Sequence, residues 1–311
     1  MSVEYFLPLE RAVARMKALL FRPFRLETWI VVGFAAFLAR LLEGGGGGTH
    51  GLRYLAGDRP GQDPGEGIER VREALAEPFW LLVAGAVLVL VLVLGVLFTW
   101  ISSRAKFVFL DDVVRERAAI AEPWRRYARL GDSLFLWRIV FLISVLAGTL
   151  LLAAPFVAVS IAAGASGASG LAVGTALLLL PALLAWAIAA TYAAFFLESF
   201  VVPIMYRHGL SATRAWGKFL PLFRANFWRF VLFGLFVFAL FLGVALVLFV
   251  AGCATCCCGF LLMAIPYVGS VVLLPISAAY RAYGPEFLAQ FGPEWSVFEP
   301  EPPPAEPPPL T

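Results

Sequence analysis

Five long apolar runs dominate the sequence. They are Phe79–Ile101, Leu136–Ala162, Leu171–Phe196, Phe227–Gly252 and Gly259–Tyr280. Each is long enough to cross a bilayer as a helix, which takes about 20 residues, and each carries almost no charge. A sixth run, Trp29–Leu42, is shorter, and its Arg40 can reach the membrane interface with a long side chain. The pattern predicts an all-α, polytopic membrane helix bundle in which six transmembrane helices form three hairpins. An interfacial or re-entrant helix is the alternative for the sixth run.

Basic amphipathic stretches lie between these runs. Apolar residues recur at helical spacing over Leu9–Leu20, and Arg11, Arg15 and Arg22 line the opposite face. The same spacing occurs at Ala212, Ala215, Trp216 and Phe219, and more weakly at Leu110, Val113 and Val114. Anionic lipid attracts such helices into the headgroup layer, so we predict cytosolic-face amphipathic helices in the plane of the membrane. Packing against the ends of the bundle is the alternative.

Composition and charge support a membrane protein. Hydrophobic residues make up 61% of the 311 residues and charged residues only 14%, whereas soluble domains average about 25% charged. The net charge is +3, but the basic residues are spread between apolar runs rather than gathered in one patch. This distribution argues against a nucleic-acid partner.

The distribution of Lys and Arg predicts the orientation. Basic residues concentrate in the N-terminal segment and in the segments after the second and fourth runs, whereas residues 43–78 carry four arginines against seven acids. The positive-inside rule then places both termini in the cytoplasm of a multi-pass inner-membrane protein. Residues 1–28 are predicted as a cytoplasmic amphipathic segment and 29–281 as the six-span membrane domain, with a glycine-rich outer loop over 43–78. Residues 282–311 are predicted as a cytoplasmic, proline-rich acidic tail.

Glu198 is a carboxylate inside a long apolar run, shortly before Pro203. An ionisable group at membrane depth is a candidate functional residue, and a partner is expected. Arg138 and Arg229 begin the third and fifth predicted spans at the same level, so either could form an intramembrane ion pair with Glu198. A structural pair that closes the inner end of the bundle is the favoured interpretation. A proton or substrate site is the alternative.

Two further sets of residues are candidates. A thiol cluster lies between the last two runs, at Cys253, Cys256, Cys257 and Cys258. Three adjacent cysteines cannot easily converge on one metal ion, so small apolar packing is favoured over a disulfide or reactive or acylated thiols. Four tryptophans at the edges of runs or basic segments are candidate interfacial anchors, namely Trp29, Trp137, Trp216 and Trp228.

No catalytic motif accompanies these features. The sequence contains no P-loop, GxSxG, HExxH or dinucleotide fingerprint, and its two histidines are isolated. We therefore predict no metal, no cofactor and no enzymatic activity. The favoured function is that of a scaffold or accessory protein that acts through membrane lipids or protein partners. A small-molecule or ion transporter or channel is the alternative, although the apolar runs offer little polar lining for a wet path. The oligomeric state stays open.

Residues 201–212 (VVPIMYRHGLSA), with Arg214–Trp216 and Asn226–Arg229, carry a resemblance. They resemble a broad group of bacterial six-span membrane proteins of unknown function, which includes the membrane domain attached to some glycerophosphodiester phosphodiesterases. The resemblance covers roughly residues 195–290 and implies six spans and a bacterial envelope setting. The phosphodiesterase activity is not expected to carry over, because the six spans leave no room for that catalytic domain.

Overall fold

The computed structural model describes residues 4–41, 78–166, 169–255, 259–260, 263 and 265–298. The helices are α1 (Phe6–Phe21), α2 (Leu26–Ala39), α3 (Pro78–Val114), α4 (Ala121–Arg126), α5 (Ala128–Ser166), α6 (Ser169–Phe196), α7 (Val202–His208), α8 (Ala212–Ala225), α9 (Phe227–Ala254), α10 (Pro266–Val272) and α11 (Leu274–Ala289). A π-helical turn, Leu197–Val201, joins α6 to α7, and a 3-10 turn, Pro293–Trp295, follows α11. These residues contain no strand, so the all-α prediction is confirmed.

Four helices are long and apolar enough to cross a membrane: α3, α5, α6 continuing into α7, and α9. They contain the predicted runs Phe79–Ile101, Leu136–Ala162, Leu171–Phe196 and Phe227–Gly252. The 37 residues of α3 extend over about 55 Å, and the hydrocarbon core of a bilayer is only about 30 Å thick. Part of α3 therefore projects beyond the membrane, and its polar C-terminal third begins at Ser102.

The first predicted span is not confirmed, since α2 has only 14 residues and a length of about 21 Å. Its position also differs from the prediction. The Ser102 hydroxyl donates to the Ala39 carbonyl oxygen at 2.7 Å, and Arg40 donates to the Ser277 hydroxyl at 3.1 Å. In a hairpin with α3, the end of α2 would meet Phe79 at the opposite end of that helix. The segment Trp29–Leu42 therefore does not form the first arm of a spanning hairpin.

The sixth predicted span, Gly259–Tyr280, is divided. Helix α10 ends at Val272, and α11 starts at Leu274 with Pro275 in its first turn. Proline has no N–H to continue the hydrogen bonds of a preceding helix, and the helix is interrupted here at Leu273. The seven residues of α10 extend over only about 10 Å. Among the described residues, four spans are therefore confirmed by length and composition, and the first and sixth predicted spans are not.

Buried residues concentrate at one end of the long helices. In α3 they are confined to Ser102–Val113, and in α9 they are chiefly Phe230 and Phe233 near its start. We call this region the compact end; it consists of α1, residues 102–126, residues 196–233 and residues 274–298. The most apolar stretches of α3, α5 and α6 contain no buried residue. The protein core thus lies at the helix ends, whereas the apolar stretches expose their side chains.

The amphipathic helices belong to this core. Ala12, Leu19 and Leu20 of α1 are buried, and α1 packs along α11. On α8 the buried residues are Ala212, Ala215 and Phe219. Leu110 and Val113 are buried within α3 rather than in a separate helix. Protein therefore covers much of the apolar faces that predicted lipid contact, which favours the alternative of packing against the ends of the bundle.

The C-terminal boundary also shifts. Helix α11 continues to Ala289, and Trp295, Val297 and Phe298 are at most 8% exposed. Residues 282–298 therefore belong to the compact end rather than to a tail. The predicted outer loop before Pro78 and the proline-rich residues 299–311 lie outside the described residues.

Candidate functional site

The carboxylate of Glu198 forms an ion pair with Lys106. Glu198 lies in the π-helical turn after α6, and Lys106 lies on the projecting part of α3. The Lys106 side chain is 4% exposed and that of Glu198 is 26% exposed, so the pair is largely shielded from solvent. Sequence reasoning missed Lys106, because it was counted with the basic loop after the second run. A usable signal is its position inside the apolar stretch Ala105–Leu110.

Arg281 holds the backbone around this pair. Its guanidinium donates to the carbonyl oxygen of Lys106 at 2.8 Å and to that of Glu198 at 3.5 Å. Pro203 has no N–H to give to the carbonyls of the preceding turn, which accounts for the local π geometry and the free acceptor. At Gly284, a Cβ atom would collide with the Ser199 carbonyl oxygen. Helix α11 and the π turn therefore meet at backbone distance, and the Arg281 side chain joins both to α3.

Arg138 and Arg229, the predicted partners of Glu198, make other contacts. Arg138 donates to the hydroxyl groups of Ser102 and Ser103 at 3.2 and 3.3 Å. Arg229 donates to the side-chain oxygen of Asn226 at 2.9 Å. The structure therefore places Lys106 at the position where one of these arginines was expected.

A second polar cluster surrounds Asp111, which is fully buried near the end of α3. Its carboxylate accepts hydrogen bonds from Tyr206 at 2.7 Å and Tyr127 at 2.9 Å. Arg117 and Arg115 form ion pairs with it at 3.0 and 3.1 Å. Burial raises the pKa of the Tyr127 phenol, so this hydroxyl stays protonated and donates. Asp111 thereby ties the end of α3 to the start of α5 and to α7.

The carboxylate of the next residue, Asp112, accepts fewer hydrogen bonds than that of Asp111. Asp112 is also fully buried, and its Oδ1 accepts the Ala119 N–H at 3.0 Å. Its Oδ2 has no hydrogen-bond partner among the described residues. Sequence reasoning missed both aspartates, although two acids following Phe107–Leu110 are an unusual pattern for a solvent-exposed loop.

The N-terminal helix is tied to the C-terminal segment by one cation. Arg15 donates to the Glu286 carboxylate at 2.5 Å, and the Glu286 side chain is 4% exposed. The guanidinium also lies 3.7 Å from the centre of the Phe298 ring. Because these three residues come from α1, α11 and the segment after it, the contact joins α1 to residues 286–298.

Aromatic rings fill the space between these polar contacts. Five phenylalanines, each at most 1% exposed, form its centre: Phe200, Phe219, Phe230, Phe233 and Phe287. The closest two rings, Phe233 and Phe287, have centroids 4.3 Å apart. Such pairs add about 0.5–1.5 kcal/mol beyond the burial of their area. The cluster forms the apolar centre of the compact end, from which the long helices project.

The tryptophans divide into two groups. Trp29 donates to the Leu20 carbonyl at 2.9 Å, and Trp137 stacks on Trp216 at 5.6 Å. These three therefore take part in internal packing. Trp228 is 72% exposed, as expected for an interfacial anchor.

One cysteine of the predicted thiol cluster lies among the described residues. Cys253 is exposed near the end of α9 with a free thiol, and Cys256, Cys257 and Cys258 lie outside the described residues. Within the described ranges, no three His, Cys, Asp or Glu side chains are grouped so that they could hold a metal ion.

Two apolar grooves run along the exposed helices. One, of about 460 Å³, follows α9 and is lined by Phe236, Leu240, Gly243 and Val247, with Ile276 of α11. The other, of about 490 Å³, lies between α3 and α5 and includes Val96, Trp100 and Phe135. Both can take up hydrocarbon but offer little to a polar substrate.

Comparison with known proteins adds the family. No curated protein and no solved structure matches the chain. One family model matches residues 6–291, which extend from the first residue of α1 to just beyond α11. The chain therefore belongs to DUF7544, a family of unknown function.

Proposed function

We propose that this protein is a non-enzymatic membrane scaffold or accessory protein, which acts laterally through lipids or protein partners. One observation carries the proposal. The buried polar side chains of the compact end serve to join its own segments, whereas α3, α5, α6 and α9 expose apolar surface over their most apolar stretches. A compact end that carries four helices with exposed apolar surface suits lateral association within a bilayer.

The proposed orientation places the compact end in the cytoplasm of a bacterial inner membrane. Ten exposed basic residues on this end, or at the helix starts next to it, support that orientation under the positive-inside rule: Arg11, Lys17, Arg22, Arg25, Arg125, Arg126, Arg129, Arg207, Arg214 and Arg224. The Gln290 side chain accepts the Glu4 N–H at 3.0 Å and donates to the Glu4 carbonyl at 2.9 Å. This contact supports a common side for the N-terminal helix and the C-terminal segment.

A transporter or channel is the second candidate, and the π-helical turn favours it. Such turns often occur at functional sites, and this one carries Glu198 beside Lys106. Proton transfer would require Glu198 to titrate within reach of water. The apolar lining of both grooves argues against a continuous polar path through the described helices.

Flux and cross-linking separate the two functions. The full chain is reconstituted into proteoliposomes, and proton and solute flux are measured for wild type and Glu198→Gln. The scaffold function predicts no flux with either protein, and a flux that Glu198→Gln abolishes would overturn it.

Cross-linking in cells is the second experiment. A photo-cross-linking residue is placed at Leu90 or Leu142, which are 57% and 61% exposed, and at Phe200, which is buried. The scaffold predicts specific lipid or protein adducts at the two exposed positions and none at Phe200.

A further inference from the structure

His208 at the end of α7 makes contacts through both of its ring nitrogens. Its Nδ1 lies 3.2 Å from the Ile204 carbonyl oxygen, and its Nε2 lies 2.6 Å from Nζ of Lys218 in α8. A carbonyl oxygen can only accept, so Nδ1 carries the hydrogen. The Lys218 ammonium can only donate, so Nε2 is the acceptor. The two contacts together therefore require the neutral imidazole with its hydrogen on Nδ1.

Lys218 also reaches the segment after α11. Its Nζ lies 5.3 Å from the centre of the Trp295 ring, a distance at which the ring face attracts a cation. Trp295 is largely buried in the compact end. One ammonium thereby connects three parts of the chain: α7 through His208, α8 itself, and residues 293–298 through Trp295.

The charged groups around His208 come from three elements. Lys218 lies on α8, Arg207 precedes His208 on α7, and Glu294 lies in the 3-10 turn that contains Trp295. Two of these three groups are cations. A positive charge on the imidazole would therefore be repelled from α7 and α8 and attracted only towards Glu294.

Proton uptake at Nε2 removes the contact with Lys218. The ring nitrogen that accepts from the ammonium becomes an N–H donor, so the hydrogen bond is lost and two positive charges face each other. Histidine ordinarily titrates near pH 6.5, so this change is possible in the physiological range. The ammonium then has to move away from the imidazole, and its contact with Trp295 changes with it.

We propose that His208 and Lys218 form an acid-sensitive latch, which holds residues 293–298 against α8 while His208 is neutral and releases them when Nε2 takes up a proton. The closed form is the one that the hydrogen bonds of His208 describe. The inference goes beyond the scaffold function and does not depend on it, because the latch consists of contacts within one chain.

Nitrogen NMR of the full chain in detergent tests the closed form. The chain has one other histidine, His50, so His50→Gln leaves a single imidazole to observe after nitrogen-15 labelling of histidine. At about pH 7.5 we expect hydrogen on Nδ1 and none on Nε2, and on acidification both nitrogens should become protonated. A neutral ring with its hydrogen on Nε2 would exclude the Lys218 contact and overturn the proposal. This measurement changes neither residue of the latch, so it stays decisive if a latch variant does not fold.

Hydrogen exchange tests the release. The amides to follow are those of Trp295 and Ser296, which donate to the carbonyl oxygens of Gly292 at 3.0 Å and Pro293 at 3.3 Å. Their protection is compared at about pH 7.5 and about pH 5.5, after correction for the intrinsic effect of pH on exchange. Wild type should lose about fivefold in protection on acidification, which corresponds to ~1 kcal/mol for one hydrogen bond. His50→Gln is the matched control and should lose as much, because it removes the histidine outside the latch.

Two variants remove the titration or the cation. His208→Gln cannot take up a proton, and its side-chain oxygen can still accept from Lys218, so the loss of protection on acidification should disappear. Lys218→Met has no ammonium to release, so protection should be equally low at both pH values. A loss in either variant as large as in wild type would overturn the proposal, and so would pH-independent protection in wild type. The scaffold function is judged by flux and cross-linking, so the two proposals can fail separately.

Discussion

The ion pair between Glu198 and Lys106 makes a quantitative prediction about stability. Glu198→Gln leaves the Lys106 ammonium without its carboxylate in a position that is 4% exposed. Breaking a buried pair from one side costs about 3–5 kcal/mol, because the remaining charge is uncompensated. The Glu198 side chain is 26% exposed, so water reaches part of the pair and we expect a loss of about 3 kcal/mol. Lys106→Met leaves the more exposed partner and should cost about 1 kcal/mol.

The double variant distinguishes the ion pair from other effects of substitution. In Glu198→Gln/Lys106→Met neither charge of the pair remains, so the loss should be smaller than the sum of the single losses by about 2 kcal/mol, a coupling typical of residues in direct contact. The assay is thermal or denaturant unfolding of all four proteins in one detergent. Arg126→Gln is the control, since Arg126 pairs with Glu122 at 3.8 Å where both side chains are more than half exposed. Its effect should stay within about 0.5 kcal/mol.

Additive losses would refute the reasoning. If the double variant loses as much as the two single variants together, the two charges do not stabilise one another. A loss below about 0.5 kcal/mol for Glu198→Gln would show that water solvates Lys106 in its absence. Either result would remove the structural role of Glu198 and strengthen the transport alternative.

The remaining predictions address close packing, the buried acids and topology. Gly284→Ala should destabilise the protein by about 1–3 kcal/mol, because the added methyl group meets a backbone carbonyl of the π turn. The control Gly217→Ala, which has open space around the added methyl group, should be neutral or stabilising by up to about 1 kcal/mol. Unfolding midpoints that move equally in the two variants would contradict the packing argument. Asp111→Asn should cost about 2–4 kcal/mol, because two partly exposed arginines lose their buried carboxylate. Asp112→Asn should cost less than about 1 kcal/mol, since one of its oxygens already has no partner among the described residues; equal losses would refute this contrast. A cysteine at Pro60 should react with a membrane-impermeant maleimide added outside, whereas one at the C-terminus should react only after permeabilisation. The same sidedness for both would exclude the proposed orientation.

The helical class and the four long apolar helices were determined by the sequence alone. Hydrophobicity is a local property, so runs such as Phe79–Ile101 and Phe227–Gly252 are visible without tertiary information. Hydrophobicity alone was not enough to predict the first and the sixth spans correctly. Trp29–Leu42 is apolar enough to suggest a span. Its short length and the contact of Ala39 with Ser102 show that it does not form the first arm of a spanning hairpin. Pro275 marked the break in the last run, yet a proline alone does not show whether a membrane helix kinks or ends.

Only the tertiary structure decided what covers the apolar faces and which charges meet. An amphipathic pattern shows that Leu19 and Phe219 need a nonpolar neighbour, but lipid and protein satisfy that need equally well. The partner of Glu198 could not be found in the sequence either, because Lys106 lies 92 positions away and only the packing of α3 beside the π turn brings the two together. The contacts of Asp111 with Tyr206 and Tyr127 likewise depend on how distant segments pack. Local periodicity specifies helices and their faces, whereas pairing between distant charges depends on how the helices pack.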